Sequence, residues 1–162
     1  MEVQAIRKLY KSVEVRLLIL LGLSLPLFGL VYLYYNSGNL NWELPQLPSV
    51  VEIGLAGLGV FFLLAQFLIF RKRTQGIQRV EDLIGKIQIY TSASLQRIHL
   101  LTLSCLLDAI GLLFFKNPIF VVLFAITLVF FSLAKPSPDR IIRMMKLSKK
   151  EGDIIREASR PA

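Results

Sequence analysis

The sequence predicts an all-α polytopic membrane protein: a bundle of four transmembrane helices carrying amphipathic helices on its cytoplasmic side. Three observations predict it. Of the 162 residues 54% are apolar, and they gather in four nearly uninterrupted blocks, whereas a soluble domain distributes its apolar residues in amphipathic or alternating patterns. Each block supplies roughly the 17 to 25 residues that a helix needs to cross a hydrocarbon layer about 30 Å thick. The basic residues, finally, avoid every second connection.

The expected spans are residues 17–35, 50–70, 98–115 and 118–134. Residues 1–16 form an N-terminal segment, 71–97 a middle loop and 135–162 a basic tail around a 17–134 transmembrane domain. Lys and Arg number four in 1–16, six in 71–97 and eight in 135–162, which leaves Lys116 alone on the opposite face. The positive-inside bias therefore puts both termini and the middle loop in the cytoplasm. The first block continues through Tyr35 without a small-residue cleavage site, so it is expected to be retained as a span rather than removed as a signal peptide. A compact chain of this kind suits a bacterial inner membrane.

The outer connection between the first two spans, NSGNLNWELPQLPS, lacks Lys and Arg, and Tyr32, Tyr34, Tyr35 and Trp42 supply an aromatic belt beside it. Spans three and four are separated by Lys116 and Asn117, so a tight hairpin is expected, with Pro118 starting the return helix. In the middle loop, Ile77, Val80, Ile84 and Ile87 recur at three- and four-residue spacing, which predicts an amphipathic helix that lies on anionic headgroups, docks on a partner or packs beneath the bundle. The tail carries two helix starts, Ser137 before Pro138 and a capping box from Ser148 to Glu151. Its Ile141, Ile142, Met144, Met145 and Leu147 require a covering surface in lipid, in the middle loop or on another subunit.

Helices in lipid gain little by burying apolar groups on one another, so contact faces are expected to carry small and hydrogen-bonding residues. Such stripes are Gly22, Pro26 and Gly29 in the first span, Glu52, Ala56, Gly59, Leu63 and Gln66 in the second, and Ala125 with Ser132 in the fourth, Thr127 falling on a different face. The third span holds the most informative residue, Asp108. At about 100° per residue Ser104, Cys105 and Gly111 share its face, while His99 points to the opposite side. That geometry excludes an intrahelical His–Asp pair.

A carboxyl at this depth costs about 2.5 to 3.5 kcal/mol on insertion scales, and it responds by pairing, hydrogen bonding or remaining protonated. Asp108 and Ser104, with Glu52 and Gln66 on the second span, are thus the candidate intramembrane residues, either as a proton or cation site or as a helix-packing lock. Glu52 lies near the outer boundary, where it reads as interfacial, and Gln66 reads as an interhelical hydrogen-bonding group.

No HExxH, GxSxG or Walker-type pattern occurs, so no catalytic residue, cofactor or metal is expected and the reading points away from an enzyme. The one cysteine, Cys105, excludes an intrachain disulfide, and the lone His99 excludes two axial haem ligands from one chain. The formal charge of +8 comes without a nucleic-acid-binding pattern and is assigned to headgroup anchoring. The expected partners are the bilayer, anionic headgroups at the basic face, and another membrane protein or a second copy. The expected function is a non-enzymatic scaffold or accessory subunit; the alternative is an oligomeric small transporter or channel subunit using Asp108.

Overall fold

The computed structural model describes residues 2–38 and 44–159. Trp42, expected in the aromatic belt, lies outside the described residues. The chain forms six α-helices and one short 3-10 turn, with no strand among the described residues. They are α1 (Glu2–Ser37), α2 (Ser49–Thr74), the turn Ile77–Arg79, α3 (Leu83–Phe115), α4 (Ile119–Ala134), α5 (Pro138–Met145) and α6 (Lys149–Ser159).

Three helices, α1, α2 and α3, are long and apolar enough to cross a membrane; α4 and α5, which meet at a 73° bend, together form a broken fourth candidate. At 1.5 Å per residue the 16 residues of α4 reach only about 24 Å, short of a full hydrocarbon layer. The apolar surface faces outward on the first two helices. Leu18, Ile19, Leu23, Leu30 and Leu33 on α1 are exposed, as are Val50, Ile53, Phe61, Leu64 and Leu68 on α2.

The central element is α3, on which α1, α2 and α4 all pack. Its buried positions, among them Ile98, Leu101, Ser104, Cys105, Asp108 and Leu112, recur at three- and four-residue spacing along one broad face. Leu103, Leu106 and Ile110 are the exposed complement. The helix ends where Lys116 adopts a left-handed φ of 53° and returns its N–H to Leu112. Asn117 then caps the next helix, its Oδ1 accepting from Ile119 N at 2.9 Å, with Pro118 at the N-cap.

The middle segment departs from the sequence expectation. The expected helix over 76–90 is not one separate element: α2 continues to Thr74, and α3 starts at Leu83 and runs without interruption to Phe115, although Ile77 and Ile87 do pack beneath the bundle, one of the placements expected. The apolar spacing is real, but the segment breaks between Ile77 and Leu83. Gly76 turns the chain at a φ of +83°, and Asp82 opens α3 by accepting from Ile84 N and Gly85 N at 3.3 and 2.9 Å.

A second apolar cluster lies at the end of the molecule where both termini meet. Ile6 of α1, Ile77, then Leu83, Ile87 and Tyr90 of α3, Ile141 and Met145 of α5, and Ile155 of α6 pack together. The tail's apolar residues are therefore covered by their own chain. Arg7 Nη2 donates to Glu157 O at 3.2 Å, and Gln78 Nε2 donates to Met144 O at 3.0 Å, pinning the tail from two sides. Both tail helices begin at the expected residues. Glu151 Oε2 accepts from Ser148 N at 2.8 Å and Ser148 Oγ at 2.7 Å, and these bonds hold the Glu151 carboxyl below its ordinary range.

Two of the small-residue stripes face the wrong way for helix packing. Gly22 and Pro26 are exposed, and a Cβ built on Gly22 or Gly29 would meet nothing within 4 Å. The inward face of α1 is instead Leu17, Ser24 and Phe28, the last stacked on Phe124 of α4 with centroids 3.7 Å apart. On α4, Ala125 and Ser132 are exposed while Thr127 is buried. Hydropathy alone does not choose a face here, because the exposed and the packed sides of these helices are both apolar.

Candidate functional site

Three polar layers connect α2 to α3, and their spacing follows from the α2 sequence. Glu52, Gly59 and Gln66 stand seven residues apart, so they share one side of the helix and are separated by about 10 Å of rise each.

In the middle layer Gly59, Ser104, Asp108 and Thr127 converge from three helices. Gly59 permits the approach: a Cβ there would sit 3.3 Å from Asp108 Oδ1. Asp108 is only 1% exposed. Its Oδ2 accepts from Thr127 Oγ1 at 3.4 Å, while Oδ1 is buried without a hydrogen-bond partner. Thr127 Oγ1 also donates to Leu123 O at 2.9 Å, and Ser104 Oγ donates to Gly59 O at 3.4 Å while lying 3.4 Å from Thr127 Oγ1. Two hydroxyl protons thus face more acceptors than they can serve. A proton on the Asp108 carboxyl would supply the missing donor.

The layer nearer the terminal end is built on Gln66, which is fully buried. Its Nε2 donates to Leu63 O at 3.0 Å, and its Oε1 accepts from Arg97 Nε at 2.6 Å. The Arg97 guanidinium also lies 5.2 Å from the centre of the Phe70 ring. At the opposite end, Glu52 Oε1 accepts from Asn117 Nδ2 at 2.6 Å, tying α2 to the turn between α3 and α4. Asp108 and Ser104 are therefore brought together, while Glu52 and Gln66 stand in separate layers above and below them. Glu52 does not share a site with Asp108.

Sequence reasoning missed Thr127 and Arg97. The signal for Thr127 was its position four residues after Leu123, where a hydroxyl can return to the preceding turn. In the sequence Arg97 counts among the six basic residues of 71–97, although a planar guanidinium next to an apolar stretch also suits a buried amide. His99 is exposed, on the side away from Asp108, with Nδ1 2.7 Å from Leu95 O. Cys105 is buried. Among the described residues no group of three or more His, Cys, Asp or Glu side chains comes together as a metal site. The chain matches no family model, no curated protein and no solved structure.

Proposed function

We propose that this chain is a multi-pass integral membrane protein of a bacterial inner membrane, its basic end cytoplasmic, acting as a non-enzymatic scaffold or accessory subunit of a larger assembly. The observation that supports it best is how the polar side chains at depth are used. Asp108, Ser104, Thr127, Gln66 and Arg97 are spent on joining helices to one another, and the outer faces of α1 and α2 present broad apolar surface. That division fits a protein whose interior is for holding shape and whose exterior is for lipid and neighbouring helices. Purification of the tagged protein from its native membrane in mild detergent, followed by mass spectrometry, is expected to recover a stoichiometric membrane partner or a homo-oligomer. Recovery of a lone monomer in both detergent and nanodiscs would defeat the reading.

One observation favours a second reading, an oligomeric transporter or channel subunit. The Asp108 Oδ1 atom is buried with no partner, as a carboxyl that exchanges a proton or cation would be. Under this reading Asp108→Asn abolishes proton- or cation-coupled flux in proteoliposomes; unchanged flux removes it.

A further inference from the structure

Where α4 ends and the chain bends into α5, a cavity of about 440 Å³ opens between α1, α4, α5 and the end of α6. It is a solvent-open groove, with Ser132, Lys135 and Arg140 exposed along it and Glu14 half-buried. Its walls carry charges of both signs. Glu14 stands on the α1 side, Lys135 and Arg140 on the α4–α5 side, and Ser132 and Ser137 line the same groove.

These charges are not matched to one another. The ion pairs among the described residues are Lys86–Glu151 and Arg156–Asp139, so Glu14, Lys135 and Arg140 form no ion pair with a described residue. Arg140 is fixed at the rim by donating one N–H to Leu133 O. Ser137 makes no side-chain hydrogen bond to the start of α5, which leaves its hydroxyl turned to other uses. The gap is held open by a strut: Tyr10 Oη donates to Pro136 O at 2.8 Å, bracing α1 against the bend. Charges of opposite sign that line one groove without pairing, at a bend braced by Tyr10, match a ligand that carries both charges.

We propose that this cavity binds a phosphodiester bearing a primary ammonium, the chemistry of a phosphoethanolamine headgroup. Lys135 and Arg140 take the phosphate oxygens, as charge-assisted donors do, with Ser137 beside them. Glu14 accepts from the ammonium. The depth agrees, given the membrane reading above: the cavity lies where the apolar stretches of α1 and α4 give way to charged sequence. A quaternary ammonium would lose the hydrogen bonds to Glu14, and an anionic glycerol headgroup would leave that carboxylate unmatched, so the ethanolamine form is selected over both.

The test uses the full-length purified chain, delipidated in mild detergent. Native mass spectrometry scores retention of phosphatidylethanolamine, phosphatidylcholine and phosphatidylglycerol added at equal concentration. The expected result is at least a five-fold preference for the ethanolamine lipid. Glu14→Gln, which keeps the shape of the side chain, is expected to erase that preference while leaving total phospholipid retention near wild type. The double variant Lys135→Ala/Arg140→Ala is expected to lower retention of all three, whereas Arg71→Ala, at a different cavity, changes nothing. Displacement by millimolar glycerophosphoethanolamine would place the natural source in solution; retention of the diacyl lipid alone would place it in the bilayer. No ethanolamine preference, or a preference that survives Glu14→Gln, overturns the proposal. Either result is independent of whether a protein partner co-purifies.

Discussion

The two cores of this molecule are both apolar inside, and they differ in the polar groups they enclose and in what they turn outward. In the core around Asp108, the polar groups Ser24, Ser104, Thr127 and Asp108 are inside, and Leu103, Leu106 and Ile110 of the same α3 are outside. In the core at the terminal end, Ile6, Leu83, Ile87, Ile141, Met145 and Ile155 are inside, and Gln88, Ser92 and Arg143 are outside. One continuous helix contributes to both. The outward face of α3 thus changes from apolar to polar along one helix, as the proposed passage from lipid to water would require.

This contrast is open to direct attack. The largest effect is expected in the water-side core. Ile155→Ala removes a side chain that is 1% exposed and should cost about 2 to 5 kcal/mol, releasing α5 and α6 as judged by hydrogen exchange and limited proteolysis. Phe61→Ala on α2, where the ring is 60% exposed, should cost almost nothing in detergent or bilayer. Comparable losses at the two positions would show that the outer face of α2 is packed rather than free.

Next in size is Gly111→Ala. An added Cβ would collide with the ring of Phe120, itself fully buried, so the turn between α3 and α4 must shift at a cost of about 1 to 3 kcal/mol. A lowered thermal midpoint in detergent checks it, and the companion Gly22→Ala, where a Cβ meets nothing, should leave the midpoint unchanged.

Thr127→Val tests the polar rule itself. It keeps the shape but takes the donor from Asp108 Oδ2, and interhelical bonds in lipid are worth only about 0.6 to 2 kcal/mol. A modest loss of stability is expected, with Asp108→Asn partly restoring it because an amide brings its own donors. A stabilising Thr127→Val would show that the layer is not held by these bonds.

The smallest effect is the pH response of the α6 cap. The Glu151 carboxyl is held below its ordinary value by the Ser148 bonds, so its contribution is complete above the unfolded carboxylate range, about 4.3, and is lost as pH falls through the folded value. Solvent screening limits it to a few tenths of a kcal/mol. The protection of the first turn of α6, taken as exchange relative to the intrinsic rate at each pH, should fall upon acidification in wild type and be indifferent to pH in Glu151→Gln.

How far the sequence could be read follows from the same contrast. The apolar blocks, the tail helices at Pro138 and after Ser148, and the shared face of Ser104 and Asp108 were legible because they depend on local spacing and capping. The packing faces of α1 and α4 were not, because small residues at Gly22 and Ala125 fit a lipid-facing surface as well as a contact. The unbroken run of α3 was hidden for another reason: polar residues such as Lys86 and Arg97 look like a loop when hydropathy is the guide, although nothing between Leu83 and Phe115 stops a helix. Partners that meet only in three dimensions, such as Gln66 with Arg97 or Glu52 with Asn117, leave no trace in spacing.

That unbroken α3 has a mechanical consequence. From Ile87, seated among the tail helices, to Asp108 is a rigid rod of about 32 Å, with no glycine or proline between to act as a joint. A displacement of α3 at Ile87, where it joins the apolar cluster that Ile141, Met145 and Ile155 complete, would carry with it the segment that bears Asp108, because no joint lies between them.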